Sequence, residues 1–427
     1  MTRPRRRVLV CGRLVAREAV GGLQIALGDL AASLRPRGWD VDLAIGSEAL
    51  GLDAAWNDPR RLRPAVSGVS RWLPRLRFLP PDARTLLQHA ALGGGVAHAQ
   101  SAMLAAIERR LHDQPYDVVL AVVTREAPGL AHFITQRHPR TVLLSLNGLA
   151  AELRLARWLR VPRATSRVLA KRLHPSMYRP VDPSAVRMAV FASDAWRDEA
   201  IRAGLPARAA RTIYFGLDTG GPLSSAAPAS GRLLWAGRCS REKGLHLFLD
   251  ALAVLRRTRD VTLTAICADG PRDYRAEIDR QIARLQLGDA VRLLPAVPRN
   301  DLRAFYTSHD ALLFYSLFEE PVALVLMEAF AAGLPVVAPR PHARSALIRP
   351  DETCVCFSST SPSDLAHAVA RALDDESLRQ RVRTNARRAI DEQFSIDAMA
   401  DAYYRALRER MALPGYGPQA TGDDETS

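Results

Sequence analysis

An α/β fold in two domains, each a parallel sheet flanked by helices, is what this sequence predicts. Three observations carry the prediction. The chain has 427 residues, more than a single hydrophobic core usually organises. Short apolar runs alternate along it with stretches of helical period, the order that gives right-handed crossovers between parallel strands. A stretch rich in Gly, Pro, Ser and Ala, Gly220–Ser230, reads as a linker between two such series.

The first series opens with a strand at Arg7–Leu14, a turn with paired glycines, Gly21 and Gly22, and a helix within Ala19–Leu34 whose apolar residues Ile25, Leu27, Leu30 and Leu34 are helically spaced. Strand, glycine loop and helix make a geometry that a phosphate can approach. The loop lacks G-x-G-x-x-G, which disfavours a dinucleotide redox cofactor. Trp39–Ile45 reads as the second strand. Asp40 and Asp42 within it spell D-x-D, but both lie on one face near the strand's N-terminal end with no further acid or His beside them. We read a solvated strand start, not a metal site. Residues 51–84 are irregular, Gln88–His112 is a helix candidate broken by Gly93–Gly95, and Asp117–Val123, Thr141–Leu146 and Val186–Ala192 are strands. Asn147 and Gly148 follow one of them directly, at a strand C-terminus where ligands collect. Ser193 and Asp194 are placed to cap a helix over Ala195–Ala203.

The second series is read from Leu233–Ala236, a strand followed by a loop, Gly237 to Gly244, that carries the cations Arg238 and Lys243, and then a helix over Leu245–Leu255. A glycine-containing loop with two cations and a helix N-terminus can hold a pyrophosphate. Strands follow at Val261–Ala265 and Val291–Leu294, and a short helix at Asp301–Ser308. Ala311–Phe314 is a buried strand, with Glu319 and Glu320 just after it. A helix is expected from Pro321 to Ala332, stopped by Gly333, and Leu334–Ala338 is the next strand. Glu328 falls inside that helix among Leu324, Leu326, Met327, Ala329 and Phe330, where a carboxylate needs a partner. Pro362–Leu373, Glu376–Gln393 and Ile396–Met411 read as closing helices.

Composition narrows the functional classes. No apolar run reaches the length of a membrane-spanning helix, and the basic start has too short an apolar segment for a secretory signal; a cytoplasmic protein is expected. The five cysteines show no C-x-x-C pair, and Cys354 and Cys356 suit opposite faces of a strand better than a metal site. The net charge is +14, and it is uneven. Residues 1–194 hold 29 Lys+Arg against 15 Asp+Glu, whereas residues 195–427 hold 30 of each. The first half is therefore expected to face something anionic. Residues 152–179 hold eight Lys+Arg and one acid interleaved with apolar residues. That pattern fits either docking on an anionic membrane surface or a solvated helix flanking a core. Only Lys171 and Lys243 are lysines, which suggests that position 243 wants a compact ammonium.

The spacing Glu320-x7-Glu328, followed by Ala-Phe-Ala-Ala-Gly-Leu-Pro-Val-Val-Ala, resembles the signature of retaining glycosyltransferases of the GT-B fold, especially glycosyltransferase family 4. The Gly237–Gly244 loop resembles the family's "GR…KG", Thr212–Asp218 its "I-x-N-G-V-D" turn, and Ala268–Pro271 its "GdGP" turn. The resemblance implies two Rossmann-like domains facing across a cleft, with a C-terminal helix crossing back. The expected limits are 1–194 for an acceptor domain, 195–390 for a nucleotide-sugar domain, 391–412 for the crossover helix and 413–427 for a disordered tail. It also implies roles. Glu320 would contact the donor sugar, Glu328 the ribose hydroxyls, and Arg238 and Lys243 the leaving diphosphate. Backbone N–H groups at Val322 and Ala323 would meet the pyrophosphate, Val297 would lie beside the nucleobase, and Gly21 and Gly22 would form the N-terminal loop. Asn147 stands where the family often has a His near the reacting sugar; an amide can hydrogen-bond a substrate but cannot act as a base near neutral pH. The chain departs from the family at Val322-Ala323, where Phe-Gly is usual, and at His342, Ala343 and Ala346, where two glycines and a Glu are usual.

The implied activity is metal-independent transfer of a sugar, with retention, from a nucleotide diphosphate to a glycan or lipid-linked acceptor, with no cofactor. The family's peripheral members dock at the inner face of the membrane, as residues 152–179 would allow. Two alternatives stay open: a non-catalytic sugar-nucleotide-binding protein or partner subunit, and a nucleic-acid base glycosyltransferase. The second would bind DNA with steep salt dependence. The first half offers little aromatic stacking beyond Trp72 and Trp158, so no nucleic-acid partner is expected.

Overall fold

This computed structural model describes residues 5–12, 22–45, 94–124, 130–146, 149–150, 153, 181–218, 220, 230–268, 270–317, 323–341 and 346–412. The tail 413–427, most of residues 152–179, and Gly21, Asn147, Glu320 and Val322 lie outside them.

The chain divides into two compact units, residues 1–213 together with Ala400 onward, and Tyr214–Met399. One strand of the first sheet lies beyond residue 194, at Ala210–Thr212. That sheet contains β1 (Arg6–Gly12), β2 (Trp39–Ile45), β3 (Val118–Thr124), β4 (Thr141–Leu146), β5 (Ala189–Phe191) and β6 (Ala210–Thr212). Their order is β2-β1-β3-β4-β5-β6, and every pairing is parallel. The second sheet contains β7 (Arg232–Arg238), β8 (Thr262–Ala268), β9 (Val291–Leu294), β10 (Ala311–Leu313), β11 (Val336–Pro339) and β12 (Val355–Phe357). It runs β12-β11-β10-β7-β8-β9, again with parallel neighbours only.

The apolar runs are strands because both faces of each sheet are covered. All seven residues of β3 are buried. In the second sheet alternate residues feed two different cores. Leu233, Trp235, Leu263, Ala265, Leu313 and Val337 enter one; Leu234, Ile266, Leu312, Val336 and Ala338 enter the other.

Helices of the first unit are α1 (Gly22–Leu34), α2 (Gly94–Asp113), α3 (Leu130–Arg137) and α4 (Asp194–Arg202). Ser193 caps α4 by accepting from the Trp196 N–H at 3.2 Å. The second unit has α5 (Leu245–Leu255), α6 (Arg272–Arg284), α7 (Arg299–Ser308), α8 (Leu324–Ala331), α9 (Pro362–Asp374) and α10 (Glu376–Gln393). Helix α8 does not begin at Pro321 as expected. Ala323 is still extended (φ −87°, ψ 91°), and its carbonyl accepts the first helical N–H groups, from Leu326 and Met327. The end of α8 follows the sequence: Gly333 has φ +70°, its N–H bonds the Phe330 carbonyl, and the Leu334 N–H bonds that of Ala329, a Schellman closure.

The last helix, α11 (Ile396–Ala412), belongs to the second unit up to Met399 and to the first from Ala400. At its start the Leu217 N–H donates to the Phe394 carbonyl (2.8 Å) and the Ile396 N–H to that of Leu217 (3.1 Å). Near its end Arg410, 1% exposed, donates through Nε to the Thr141 carbonyl at 3.2 Å and through Nη2 to that of Pro139. Asp401 pairs with Arg37 at 2.9 Å, and Glu409 with Arg211 at 2.8 Å.

Asp40, on the more exposed end of β2, lies 3.7 Å from the Arg7 guanidinium. Asp42 accepts from Arg7 at 3.2 Å and from the Tyr116 hydroxyl at 2.6 Å. All five cysteines are buried and unbridged.

One pair of glycines separates backbone crowding from conformational freedom. A Cβ on Gly216 would sit 2.6 Å from the Ser395 carbonyl oxygen and from the Ile396 Cα. Gly216→Ala is therefore expected to cost about 2–3 kcal/mol in urea unfolding, because backbone must move. Gly28 lies inside α1, and an added methyl there would meet nothing within 4 Å. Gly28→Ala should instead gain about 0.5–1 kcal/mol.

Candidate functional site

The order of the second sheet reverses between β7 and β10. Connections from these two neighbours leave towards opposite faces, which opens a crevice at their C-terminal ends. Three of the cations and acids singled out in the sequence stand on the connections around this point.

The loop after β7 is held from several sides. Arg238 ends the strand, and Ser240–Gly244 folds into a 3-10 turn over Arg241–Lys243. The Trp235 indole, 2% exposed, donates to the Lys243 carbonyl at 3.2 Å. The Cys239 N–H donates to the Ala268 carbonyl at 3.0 Å. The loop after β10 joins it as well: the Leu317 N–H donates to the Glu242 carbonyl at 2.9 Å. Gly244 takes φ +69° and lies under the Tyr315 ring, where an added Cβ would come 2.8 Å from Cγ. Both the left-handed backbone and the ring contact demand glycine there. Gly244 is also the N-cap of α5 and supplies no side-chain cap, so the first turn of that helix faces the loop with its positive dipole end.

Arg238 is more than half exposed and pairs with Glu242 at 2.7 Å, four residues on. Burial alone would raise the Glu242 pKa; hydrogen bonds from its own N–H and from Ser240, with the charges of Arg238 and Lys243, hold it below the ordinary carboxylate value. His246 adds no cation: burial, and then the Arg241 charge, lower its pKa. Arg241 is exposed, as expected, and pairs with Glu277. Cys239 and Cys267 are buried free thiols, and the influence of each on the other, with burial, raises the Cys267 pKa.

The acid expected to need a partner has one. Glu328 of α8 is half-buried, and the Tyr306 hydroxyl of α7 donates to its Oε2 at 2.9 Å. Tyr306 is 2% exposed and sits in the core shared by Leu312, Phe314, Leu326 and Phe330. Val297, just before α7, packs partly buried against the same core, and Ala323 lies within it. Gly22 opens α1, in the first unit.

Sequence reasoning missed Tyr306, Tyr315, Trp235 and Glu242. Only Glu242 left a signal, an acid four residues after Arg238. The aromatic residues act through tertiary packing, which no spacing announces. Among the described residues no cluster of three His, Cys, Asp or Glu side chains is placed to hold a metal ion, and no helix is long and apolar enough to cross a membrane.

Gly244→Ala should cost about 2–4 kcal/mol in urea unfolding, from the left-handed backbone and the Tyr315 contact together. In the same variant, Tyr315 fluorescence anisotropy or near-ultraviolet dichroism should report the displaced ring.

Residues 228–389 match the family described as Glycosyl transferases group 1. Over 227 residues the chain is 29% identical to the alpha-D-kanosaminyltransferase of Streptomyces kanamyceticus, covering 52% of this chain and 54% of that protein. It is 32% identical over 157 residues to the D-inositol 3-phosphate glycosyltransferase of Paenarthrobacter aurescens, covering 36% of this chain and 38% of that one. The matches thus span about half the length of these curated relatives or less. The crystal structure of Anabaena Alr3699/HepE in complex with UDP and glucose superposes with a TM-score of 0.62 at 19% identity, covering 95% of this chain and 100% of that one. The fold is that of the GT-B glycosyltransferases, and the sequence similarity to Glycosyl transferases group 1 lies over residues 228–389.

Proposed function

We propose that the protein is a glycosyltransferase that takes a sugar from a nucleotide diphosphate bound at the C-terminal end of the second sheet. The observation that carries this is the joining of the β7 and β10 loops at the reversal of strand order. The loop that carries Arg238 and Lys243 runs directly into the N-terminus of α5. A diphosphate is the ligand for such a place: it needs fixed positive charge most as its bond to the sugar breaks. The similarity of residues 228–389 to Glycosyl transferases group 1, and the UDP named with the Anabaena structure, support the same reading.

In this proposal Lys243 and Arg238 stabilise the leaving diphosphate, and Arg238 exchanges Glu242 for phosphate oxygens. Glu328 accepts hydroxyls of the ribose, and Glu320 those of the sugar. The reaction is retaining: the bond from the anomeric carbon to the diphosphate oxygen breaks, the acceptor oxygen attaches on the same face, and the diphosphate takes the acceptor's proton. No metal is required, because the two cations and the helix dipole supply the field. The acceptor is a lipid-linked or cell-envelope glycan received by the basic first half, with residues 152–179 meeting an anionic membrane surface.

A thermal-shift series with nucleoside diphosphates and nucleotide sugars tests the donor site. Lys243→Ala should erase the shift that the wild type shows. Glu320→Ala should keep nucleoside diphosphate binding while losing release of nucleoside diphosphate from the sugar nucleotide; loss of all nucleotide binding would contradict its sugar-facing role. Flotation with liposomes tests the membrane surface: recovery should rise with anionic lipid, and equal recovery on neutral vesicles would reject it.

A further inference from the structure

The first unit carries a small pocket at the N-terminal ends of β4 and β5, the end of the sheet opposite to the one where ligands of such folds collect. His138, just after α3, Arg187, just before β5, and Arg410 of α11 all line it. Its inner part has room for about one water-sized atom. Arg410 donates through Nε to the Thr141 carbonyl and through Nη2 to that of Pro139, while its Nη1 is buried with no partner. His138 meets the Tyr116 carbonyl through Nε2 at 3.1 Å, so Nε2 carries a proton. Its Nδ1 is buried, also with no partner. The hydroxyls of Thr135 and Thr141, in the same lining, already donate to backbone carbonyls. The charge around the two open nitrogens has one sign. Arg187 and Arg140 are exposed; after burial, their charges are what depress the Arg410 pKa. No carboxylate lines the pocket.

We propose that this pocket is an oxyanion site for a phosphate or sulfate group: Arg410 Nη1 and a protonated His138 Nδ1 hold one inner oxygen, and Arg187 meets the outer ones. An oxyanion suits the shape. One oxygen fills the inner part while the others face an exposed guanidinium, which a halide would leave unmet. Proton uptake is part of the binding. Burial, and then the charges of Arg140 on the approach to β4 and Arg410 on α11, lower the His138 pKa, against the opposing pull of the Tyr116 and Arg140 carbonyls. Near neutral pH the free ring is therefore neutral, and its Nδ1 lone pair would repel an anion. An anion beside it favours the charged ring, so affinity rises as pH falls through the His range.

The rival occupant is a water that accepts from Arg410 and donates to His138. Calorimetric titration of the full chain separates the two. Sulfate is the probe, because its charge is constant across the range, with chloride at equal ionic strength beside it. Sulfate should bind about tenfold more tightly at about pH 6 than at about pH 8, with proton uptake read from buffers of differing ionisation heat. Arg187→Ala, an exposed change that leaves the Arg410 bonds intact, should weaken it about fivefold or more. His138→Gln should remove the pH dependence. The proposed donor loop also carries cations, so Lys243→Ala is titrated as well and should leave this binding unchanged. Inorganic phosphate and glycerol 3-phosphate distinguish the sources: binding of the first alone assigns a free ion, and binding of both a mouth that admits a phosphate carried on a larger molecule. No sulfate binding, binding that chloride matches, equal binding at the two pH values, or binding lost in Lys243→Ala and kept in Arg187→Ala would each overturn the inference.

Discussion

One backbone hydrogen bond, from the Leu317 N–H to the Glu242 carbonyl, is the constraint on which the candidate site depends. It ties the connection leaving β10 to the connection leaving β7 where the sheet order reverses. The Gly244–Tyr315 contact and the Trp235–Lys243 bond act on the same loop from its two sides. None of these ties uses the side chain of Lys243 or Arg238. The backbone of the loop that carries the two cations is thus held by main-chain bonds and aromatic packing.

The two ionised groups at the edge of the site are partnered differently. Arg238 meets a carboxylate in an exposed pair, the kind whose net stabilisation is small and whose partner is readily exchanged. Glu328 meets a neutral, buried phenol, a bond that charge makes stronger and burial makes rigid.

Much of the architecture was legible because local and global signals agree. The strands Trp39–Ile45, Thr141–Leu146 and Val291–Leu294 and the helices Leu245–Leu255 and Glu376–Gln393 have the bounds expected from periodicity and from their Gly, Pro and Ser markers. Helix α8 was placed too early because Pro321 reads as a helix start, while Ala323 is extended and buried in the core. Strand β6 was not read from the sequence, because three residues, Ala210–Thr212, are too few to show a period. Arg238, Lys243 and Glu328 were visible through the chemistry of their neighbours in sequence. Tyr306 was not, since it stands 22 residues from its partner and only the packing of α7 on α8 brings the two together.

The last helix gives the chain an unusual division of ownership. The first sheet is threaded before Ile213 and yet is completed by residues from Ala400 onward. Arg410 is the member that matters most, because two main-chain carbonyls at the entrance to β4 have their hydrogen bonds from it. A gene fragment stopping at Ile213 would expose those carbonyls and the apolar surface that α11 covers. Excision of the amino-terminal half as a soluble piece therefore calls for a grafted segment, or a circular permutation, that brings the closing helix with it.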